Sequence, residues 1–501
     1  MADLVLKEFA GQSVRPTTRE KLTDAADCLL ANLLDAHSTY HACFLGVPLS
    51  TGSFTVGRYL NRAFGHKNFQ RVVNFLKLSP FALYEGGFND PKTKTGRVSR
   101  FILTDAFLTA LTEFQGILSS GHSPQAALEG FNELLFAYTF DSIPSLPEAT
   151  RIPDIATATA YKASSDIIRL KNGERKLIDY AETEETETMR RELAIWNDFL
   201  VDNHHVDLLL PDSEIATLFQ STQSNELDEI FFESPSDHPQ FIERSRIYLY
   251  RVFNNGTFNE GGRFYGGWWQ QVPSKFRPRI TINERATIEY DFSSLHPAML
   301  YAKVGQPLSN RAYEIDGIEP TKQNRKLIKT TFLKLINARQ DQRIDTPDLE
   351  ALPQGWSWQA LQDAICAKHQ QISQFFRSGI GLRLQKDDAA IAFQVMSRMM
   401  AKDVVVLPVH DSFITYHELS ATLEEEMRRA FRYHLGMEVE IKGDVSLVEW
   451  FRNELEGFEL TSEETVDSIQ SLPGYEGYRE RHQYLLRNRS RAWQERFGVR
   501  L

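Results

Sequence analysis

Two short apolar stretches constrain this chain more than any other feature. ATIEYDFSSLHPAMLYAKVG (286–305) reads as a strand, Thr287 to Phe292, that ends in a tight turn and enters a helix near Pro297. DVVVLPVHDSFITY (403–416) reads as two strands, Val404 to Leu407 and Phe413 to Tyr416, around a turn with His410 and Asp411 at its tip. Each places one carboxylate, Asp291 or Asp411, at the end of an apolar strand, where an unpartnered charge is costly to bury. Strands that present one Asp each can face one another in an antiparallel sheet. Carboxylates held that way can grip two Mg²⁺ or Mn²⁺ ions about 4 Å apart, an arrangement that stabilises the attacking and leaving oxygens of phosphoryl transfer.

The rest of the chain sets the context. At 501 residues the length suggests about three domains. With 42% hydrophobic, 25% charged and 11% aromatic residues, the chain is neither disordered nor collagen-like nor a coiled coil. No apolar run reaches the roughly 18 residues of a membrane span, and the N-terminus lacks the basic start and apolar core of a secretion signal. Cys28, Cys43 and Cys366 have no metal-like spacing, so a cytoplasmic location without membrane contact is expected. The net charge of −11 hides strong segregation: residues 56–100 carry +7, 181–240 carry −13, 241–340 carry +8 and 473–501 carry +4. Local basic surface, not a basic average, is what polyanion binding requires.

The pattern divides the chain into 1–141, 142–245, 246–460 and 461–501. Leucines at helical spacing predict a helix over 17–45, a second over about 54–64 and a third over 67–78, stopped by Pro80. FALYEGGFNDPKTKTGRVSRFILT (81–104) then reads as strand, polar turn, strand. Helix, turn, helix and basic hairpin is the order of a winged helix, in which the second helix enters the major groove and the hairpin meets the backbone. Arg71 and Lys77 would lie on that helix, and Lys92, Lys94, Arg97 and Arg100 on the wing. Residues 142–165, rich in Pro, Ser, Thr and Ala, read as a linker into an acidic, thumb-like helical region, and 461–501 as a basic helical tail. The fold class expected is α+β: a mainly helical N-terminal domain followed by a core with an antiparallel sheet.

Alone, each motif has a plain structural reading, such as a capped turn for His-Asp or an exposed basic helix face for RKLIK. Together and in order they resemble a known family. HDSF (410–413) resembles motif C of single-subunit, bacteriophage-type RNA polymerases and of family A DNA polymerases. DFSSLHP (291–297) resembles motif A of template-dependent polymerases, in the family B form with His296 in place of a Tyr. QNRKLIKTTFLKLINA (323–338) is similar to the fingers helix of family A and phage-type enzymes, with Arg325, then Lys329 four later, and Asn337-Ala338 where the family has Tyr-Gly. LQKDDAAIA (384–392) resembles the family A segment in which a Gln, here Gln385, begins a helix beside the template. The resemblance covers roughly residues 260–445 and implies a divergent right-hand core of palm and reduced fingers.

The resemblance implies roles. Asp291, Asp411 and the carbonyl of Phe292 would hold two divalent ions. Lys329 and Arg325, on one helix face, would bind the triphosphate. Phe292, Ser293, His296 and Asn337 would surround the incoming nucleotide, with His296 screening the sugar 2′-hydroxyl, and His410 would touch the primer end. GGRFYGGWWQ (261–270) resembles the phage-type segment that meets the template–product duplex, through Arg263 and Tyr265, its aromatics suiting bases. The activity implied is template-dependent nucleotidyl transfer, foremost a DNA polymerase of a plasmid, phage or other mobile element, using nucleoside triphosphates and primer–template. LIDYAETEE (177–185) reads as a solvated helix rather than a proofreading motif, so no editing is expected. A single-subunit RNA polymerase or primase-like enzyme uses the same motifs, and a non-catalytic replication initiator acting through its winged helix is the third reading.

Overall fold

The computed structural model describes residues 16–40, 44–47, 65–79, 81–90, 95–97, 99–104, 107–109, 112–113, 157–159, 166–210, 247–283, 285–309, 311–340, 342–344, 352–443 and 479. They fall into two compact units, divided at residues 166 and 167. Both are α+β, and their sheets are mainly antiparallel. Among the described residues, no helix is long and apolar enough to cross a membrane.

The first unit opens with helix α1 (Pro16–Tyr40), strand β1 (Phe44–Val47) and helix α2 (His66–Leu78). The helix expected to reach residue 45 therefore stops at Tyr40, because Leu45 and its neighbours pair instead with β5 (Ser99–Leu103). The expected hairpin has two tiers. β2 (Ala82–Glu85) pairs with β5, and the ribbon of β3 (Phe88–Asp90) and β4 (Thr95–Arg97) lies between them in sequence. The sheet order is β2-β5-β1, extended by β6 (Thr157–Thr159) parallel to β1, so the stretch expected as a linker supplies a strand. Leu22, Ala25, Ala26 and Leu29 of α1, at helical spacing, meet Phe69, Val72, Val73 and Leu76 of α2 in one apolar core. That packing leaves Lys67, Gln70 and Asn74 exposed along the other face of α2. Lys77 lies instead over the Tyr84 ring, 4.3 Å from its centre.

Arg100 corrects the expectation of a wing contact. Its register partner across the sheet is Glu85, and it is 1% exposed with Nε donating to the Glu85 carboxylate at 2.8 Å. Strand alternation turns Arg100 inward, where the acid holds it away from any phosphate. Arg97 lies in β4, whereas Lys92, Lys94, the helix expected over 54–64 and the tail, Arg479 apart, lie outside the described residues.

In the second unit, β7 (Ile168–Leu170) precedes helix α3 (Glu184–Asn203). Thr183 and Thr186 close a capping box on α3, each side chain bonded to the other's backbone N–H. β8 (Val206–Leu208), β9 (Tyr250–Phe253), β10 (Gly261–Tyr265), β11 (Ile280–Ile282) and β12 (Arg285–Phe292) follow. Helices α4 (Leu295–Lys303), α5 (Lys322–Asn337), α6 (Trp358–Lys368) and α7 (Gly381–Met400) lead to the hairpin β13 (Leu407–Val409) and β14 (Ser412–Tyr416), then α8 (Ser420–Leu435) and β15 (Ile441–Gly443).

β12 is the spine of the main sheet. It pairs antiparallel with β14 along one edge, and with β11 and β15 at the two ends of the other. Period-two alternation sorts its side chains. Ile288 and Phe292 are buried, with Phe292 edge-on to Phe413 and tilted against Phe431 of α8 at ring separations of 6.1 and 6.0 Å. Glu289 and Asp291 take the opposite face. The strand expected from Val404 begins only at Leu407, because the Val405 carbonyl accepts from the Thr415 hydroxyl at 2.8 Å instead of joining the ladder.

A buried histidine fastens the helical layer. His369 Nε2 donates to the Ala312 carbonyl at 2.9 Å, and Nδ1 lies 3.1 Å from the Tyr301 hydroxyl, beside the Phe332 ring. Burial pushes its pKa down to about 4, against the hydrogen bond to Ala312 that partly opposes the shift. A depressed histidine means that the unfolded chain takes the proton first, so stability is full above about pH 6.5 and falls as the pH drops toward 4. His369→Asn, which cannot titrate there, should lose about 3 kcal/mol less between pH 7 and pH 4 than the parent chain. Urea midpoints at several pH values measure this, and identical pH dependence in the two chains would refute a neutral, buried His369.

Candidate active site

The register of β12 and β14 brings the two aspartates together. Asp291 pairs with Ser412, the residue after Asp411, and the Phe292 N–H donates to the Asp411 carbonyl at 3.4 Å. His410 and Asp411 form the two-residue loop between the paired Val409 and Ser412. Such loops need a positive φ, which His410 supplies at 58°. Non-glycine residues adopt that conformation at a cost of roughly 1–2 kcal/mol, so the hairpin is held by its surroundings. Trp269 Nε1 and Gln270 Nε2 both donate to the Pro408 carbonyl, at 3.0 and 3.2 Å. The aromatics of GGRFYGGWWQ thus divide. Trp268 and Trp269 are core residues bracing the hairpin rather than surfaces for bases, and Tyr265 alone is half-buried.

The two carboxylates differ electrostatically. Crowding of protein around Asp291, then the charge on Asp411, raises its pKa against the opposing Lys329, although the carboxylate itself is open to solvent. Burial also works against ionisation of Asp411, but the charges on Arg263 and then Lys329 pull the other way and its pKa falls below the usual carboxylate range. This is a like-charge pair in which one member ionises at the expense of the other. A divalent cation removes that conflict, and two carboxylates beside the Phe292 carbonyl are oxygen donors of the type hard cations take. Among the described residues, no group of three or more His, Cys, Asp or Glu side chains is placed to hold a metal ion, so the side-chain donors here are the two aspartates. Lys329 of α5, half-buried, is the residue whose charge reaches both. Arg325, one turn earlier, is exposed with Nη1 3.7 Å from Glu314.

Several residues expected to meet nucleic acid or nucleotide have other partners. Arg263 is buried, and both Nε and Nη2 lie 2.7 Å from Asp388 Oδ2 on α7. His296 is buried with Nε2 3.4 Å from Arg263 Nη2, and burial, then that guanidinium, pushes its pKa down to about 3. It is a neutral ring locked under Arg263. His410, half-buried, is likewise held neutral near 3 by burial and then Arg263. Gln385 is 2% exposed within α7 and offers no surface to a template. Asn337 Nδ2 donates to the Leu333 carbonyl at 2.8 Å, and its amide occupies the space that a side chain on Gly381 would need. It seals the contact between α5 and α7. The Ser293 N–H donates to the Glu440 carbonyl at 2.9 Å.

Three residues enter the site that the motifs did not mark. Asp388 partners Arg263, its pKa raised to about 6 by burial against that guanidinium's pull. Tyr313, fully buried, hydrogen-bonds Ser294 beside both aspartates, and burial raises its hydroxyl pKa. Glu289 accepts from the Ser412 hydroxyl and lies 2.9 Å from Arg277. Strand alternation from Asp291 pointed to Glu289, and the Asp387-Asp388 pair in an apolar helix was a signal for Asp388. Nothing in the sequence marked Tyr313.

No protein-family model and no curated protein matches the chain. Among solved structures it is similar to the POL domain of Pol1 from M. smegmatis in complex with DNA primer-template and dNTP. The likeness has a TM-score of 0.26 at 12% identity, spanning 40% of this chain and 48% of that one.

The buried ion pair makes a stability prediction. Asp388→Asn or Arg263→Gln leaves an uncompensated buried charge and should cost about 3–5 kcal/mol, whereas Arg263→Met with Asp388→Leu should recover most of it. Denaturant midpoints with unchanged slopes test this. Single variants as stable as the parent would mean that the pair is not desolvated.

Proposed function

We propose that the chain is a template-dependent nucleotidyltransferase, foremost a DNA polymerase, in which Asp291 and Asp411 carry the chemistry. The observation that supports this reading is the β12–β14 register, which sets two carboxylates side by side at the ends of adjacent strands with Lys329 in electrostatic reach of both. Asp291, Asp411 and the Phe292 carbonyl would hold the divalent ions, which supply charge stabilisation of the attacking and leaving oxygens. Lys329 offsets charge on the triphosphate as the α-phosphorus is attacked by the primer 3′-hydroxyl and pyrophosphate leaves. Arg325, farther out on the same helix face, meets the outer phosphates. Arg263 holds Asp411 ionised and His296 neutral without touching substrate.

The first unit suits duplex DNA. Its order of α1, β1, α2 and two-tier hairpin, with sheet order β2-β5-β1, is compatible with a winged helix, and α2 turns Lys67, Gln70 and Asn74 outward. A purely DNA-binding initiator would have no use for Lys329 facing paired carboxylates.

Primer extension tests the proposal, with deoxynucleotides and ribonucleotides offered separately on DNA and RNA templates. Asp291→Asn and Asp411→Asn should each lower incorporation by a hundredfold or more, on the order of what loss of one electrostatic stabiliser costs, with duplex binding unchanged. Lys329→Ala should lower kcat by about 10²–10³. Near-parental extension by either aspartate variant would defeat the reading, and a parental preference for ribonucleotides would make the enzyme an RNA polymerase or primase. In the first unit, Lys67→Ala with Arg97→Ala should reduce the slope of log K against log salt for duplex binding by about 0.9 per lost phosphate contact. An unchanged slope would remove that face from the DNA.

A further inference from the structure

The sheet β7-β9-β10 has two unlike faces. On one, Arg251 is buried between the Phe253 and Phe264 rings with Nε donating to the Gly262 carbonyl at 2.7 Å. That face belongs to the core, where Phe264 stacks on Phe393 of α7. On the other, register places Arg169, Val252 and Arg263 in one row and Tyr250 opposite Tyr265 in the next. Tyr250 and Tyr265 stack at 6.1 Å with their planes 28° apart, and the Arg169 guanidinium lies 3.5 Å over the Tyr250 ring. Two residues before Tyr250 on the same side, Tyr248 is 45% exposed.

Cationic charge collects along the same face. Lys171 follows Arg169 by one strand period, and Arg175 is exposed in the turn that follows. Burial pulls the Lys171 pKa down to about 8, and the charges on Arg169 and Arg175 pull in the same direction. A cross-strand aromatic pair alone needs no such cluster. Gly266 fits the same design, since at φ +107° a Cβ would come within 2.5 Å of the Tyr248 carbonyl and 2.8 Å of the Tyr250 ring. The turn is thereby drawn tight against the tyrosines.

We infer that this face is a track for single-stranded nucleic acid, with unpaired bases stacking on Tyr248 and on the outer plane of the Arg169 guanidinium that covers Tyr250, and phosphates meeting the exposed Arg175. Ring and guanidinium faces bind unpaired bases, whose π-surfaces are free, whereas a duplex hides its base faces within the stack. Arg263, in the same row, is buried against Asp388 of α7, so the open part of the face is its Tyr248 and Arg169 end, where a bound strand would serve as template. The assignment of that strand as template rests on the proposed polymerase activity, but the binding itself does not.

Equilibrium anisotropy with labelled oligo-dT and oligo-U of about 16 nucleotides, and with a duplex of equal length, tests the track in the full chain. Tyr250→Ala and Arg169→Gln should each weaken single-strand binding by about 5- to 100-fold, the range for one lost stacking partner, with duplex affinity changed less than twofold. Tyr248→Ala and Arg175→Ala, both at exposed positions, guard against misfolding and should weaken single-strand binding by several-fold. Unchanged single-strand affinity in all four variants would overturn the inference, as would equal losses on single strand and duplex. Oligo-dT against oligo-U tells whether the strand is DNA or RNA. Asp411→Asn separates this from the catalytic reading. If it extends primers normally while the Tyr250 variant loses binding, the polymerase assignment fails and the track stands. If it is inactive while the four track variants bind normally, the reverse holds.

Discussion

The buried Arg263–Asp388 pair is the interaction on which the second unit depends. It joins β10 to α7 across 125 residues of sequence, with a guanidinium and a carboxylate both nearly excluded from water. Two such ions lose several kcal/mol of hydration each, and their attraction repays this only in good geometry. An apolar pair would hold the same two elements with less penalty. The ion pair has a second consequence that an apolar pair would not have: Arg263 is among the charges that keep Asp411 ionised and His296 and His410 neutral. Packing and electrostatics at the carboxylates therefore share one side chain.

The period of a β-strand does the remaining positioning. Along β12, Phe292 fills the core between Phe413 and Phe431 while Asp291, its neighbour, is open to solvent. A slip of one residue would bury Asp291 and expose Phe292. The aromatic cluster behind the sheet thus fixes the register that sets Asp291 beside Asp411. The left-handed turn at His410 is imposed by the same framework, through the carbonyl of Pro408 that Trp269 and Gln270 hold.

What was legible in the sequence is what depends on neighbours along the chain. β12, β14, α4 and the acidic helix α3 follow from local periodicity, the helix carrying Lys329 from its resemblance to a known motif, and the two aspartates stood out as charges on apolar strands. What was illegible depends on partners far away. Arg263 reads as a nucleic-acid contact until Asp388 is known to lie against it, and Arg100 reads as a wing contact until Glu85 is known to face it across the sheet. His296 and Gln385 read as substrate contacts because their motif positions are local, whereas their burial is tertiary. Trp268 and Trp269 read as base platforms because aromatic composition cannot separate a core ring from an exposed one. Tyr250, which bears the stacked guanidinium, belongs to no motif.

The acidic stretch is reconciled with the proposed binding of a polyanion by helix geometry. Glu184, Glu185 and Glu187 crowd the first turn of α3, where unsatisfied N–H groups and the helix dipole favour negative charge. One of them, Glu185, reaches Lys386 of α7 at 3.7 Å, and Arg190 reaches back to Glu182 at 3.1 Å. Part of the acidity is therefore satisfied by the helix terminus and by neighbouring cations rather than projected as a field toward substrate. Arg169, Lys171 and Arg175 meanwhile gather on one face of the β7-β9-β10 sheet. Charge segregation of this kind lets a chain with net charge −11 present local positive surface, because screening at physiological salt confines each patch to about 8 Å. A polyanion is then steered by the patch it approaches, and the average charge of the chain sets solubility rather than specificity.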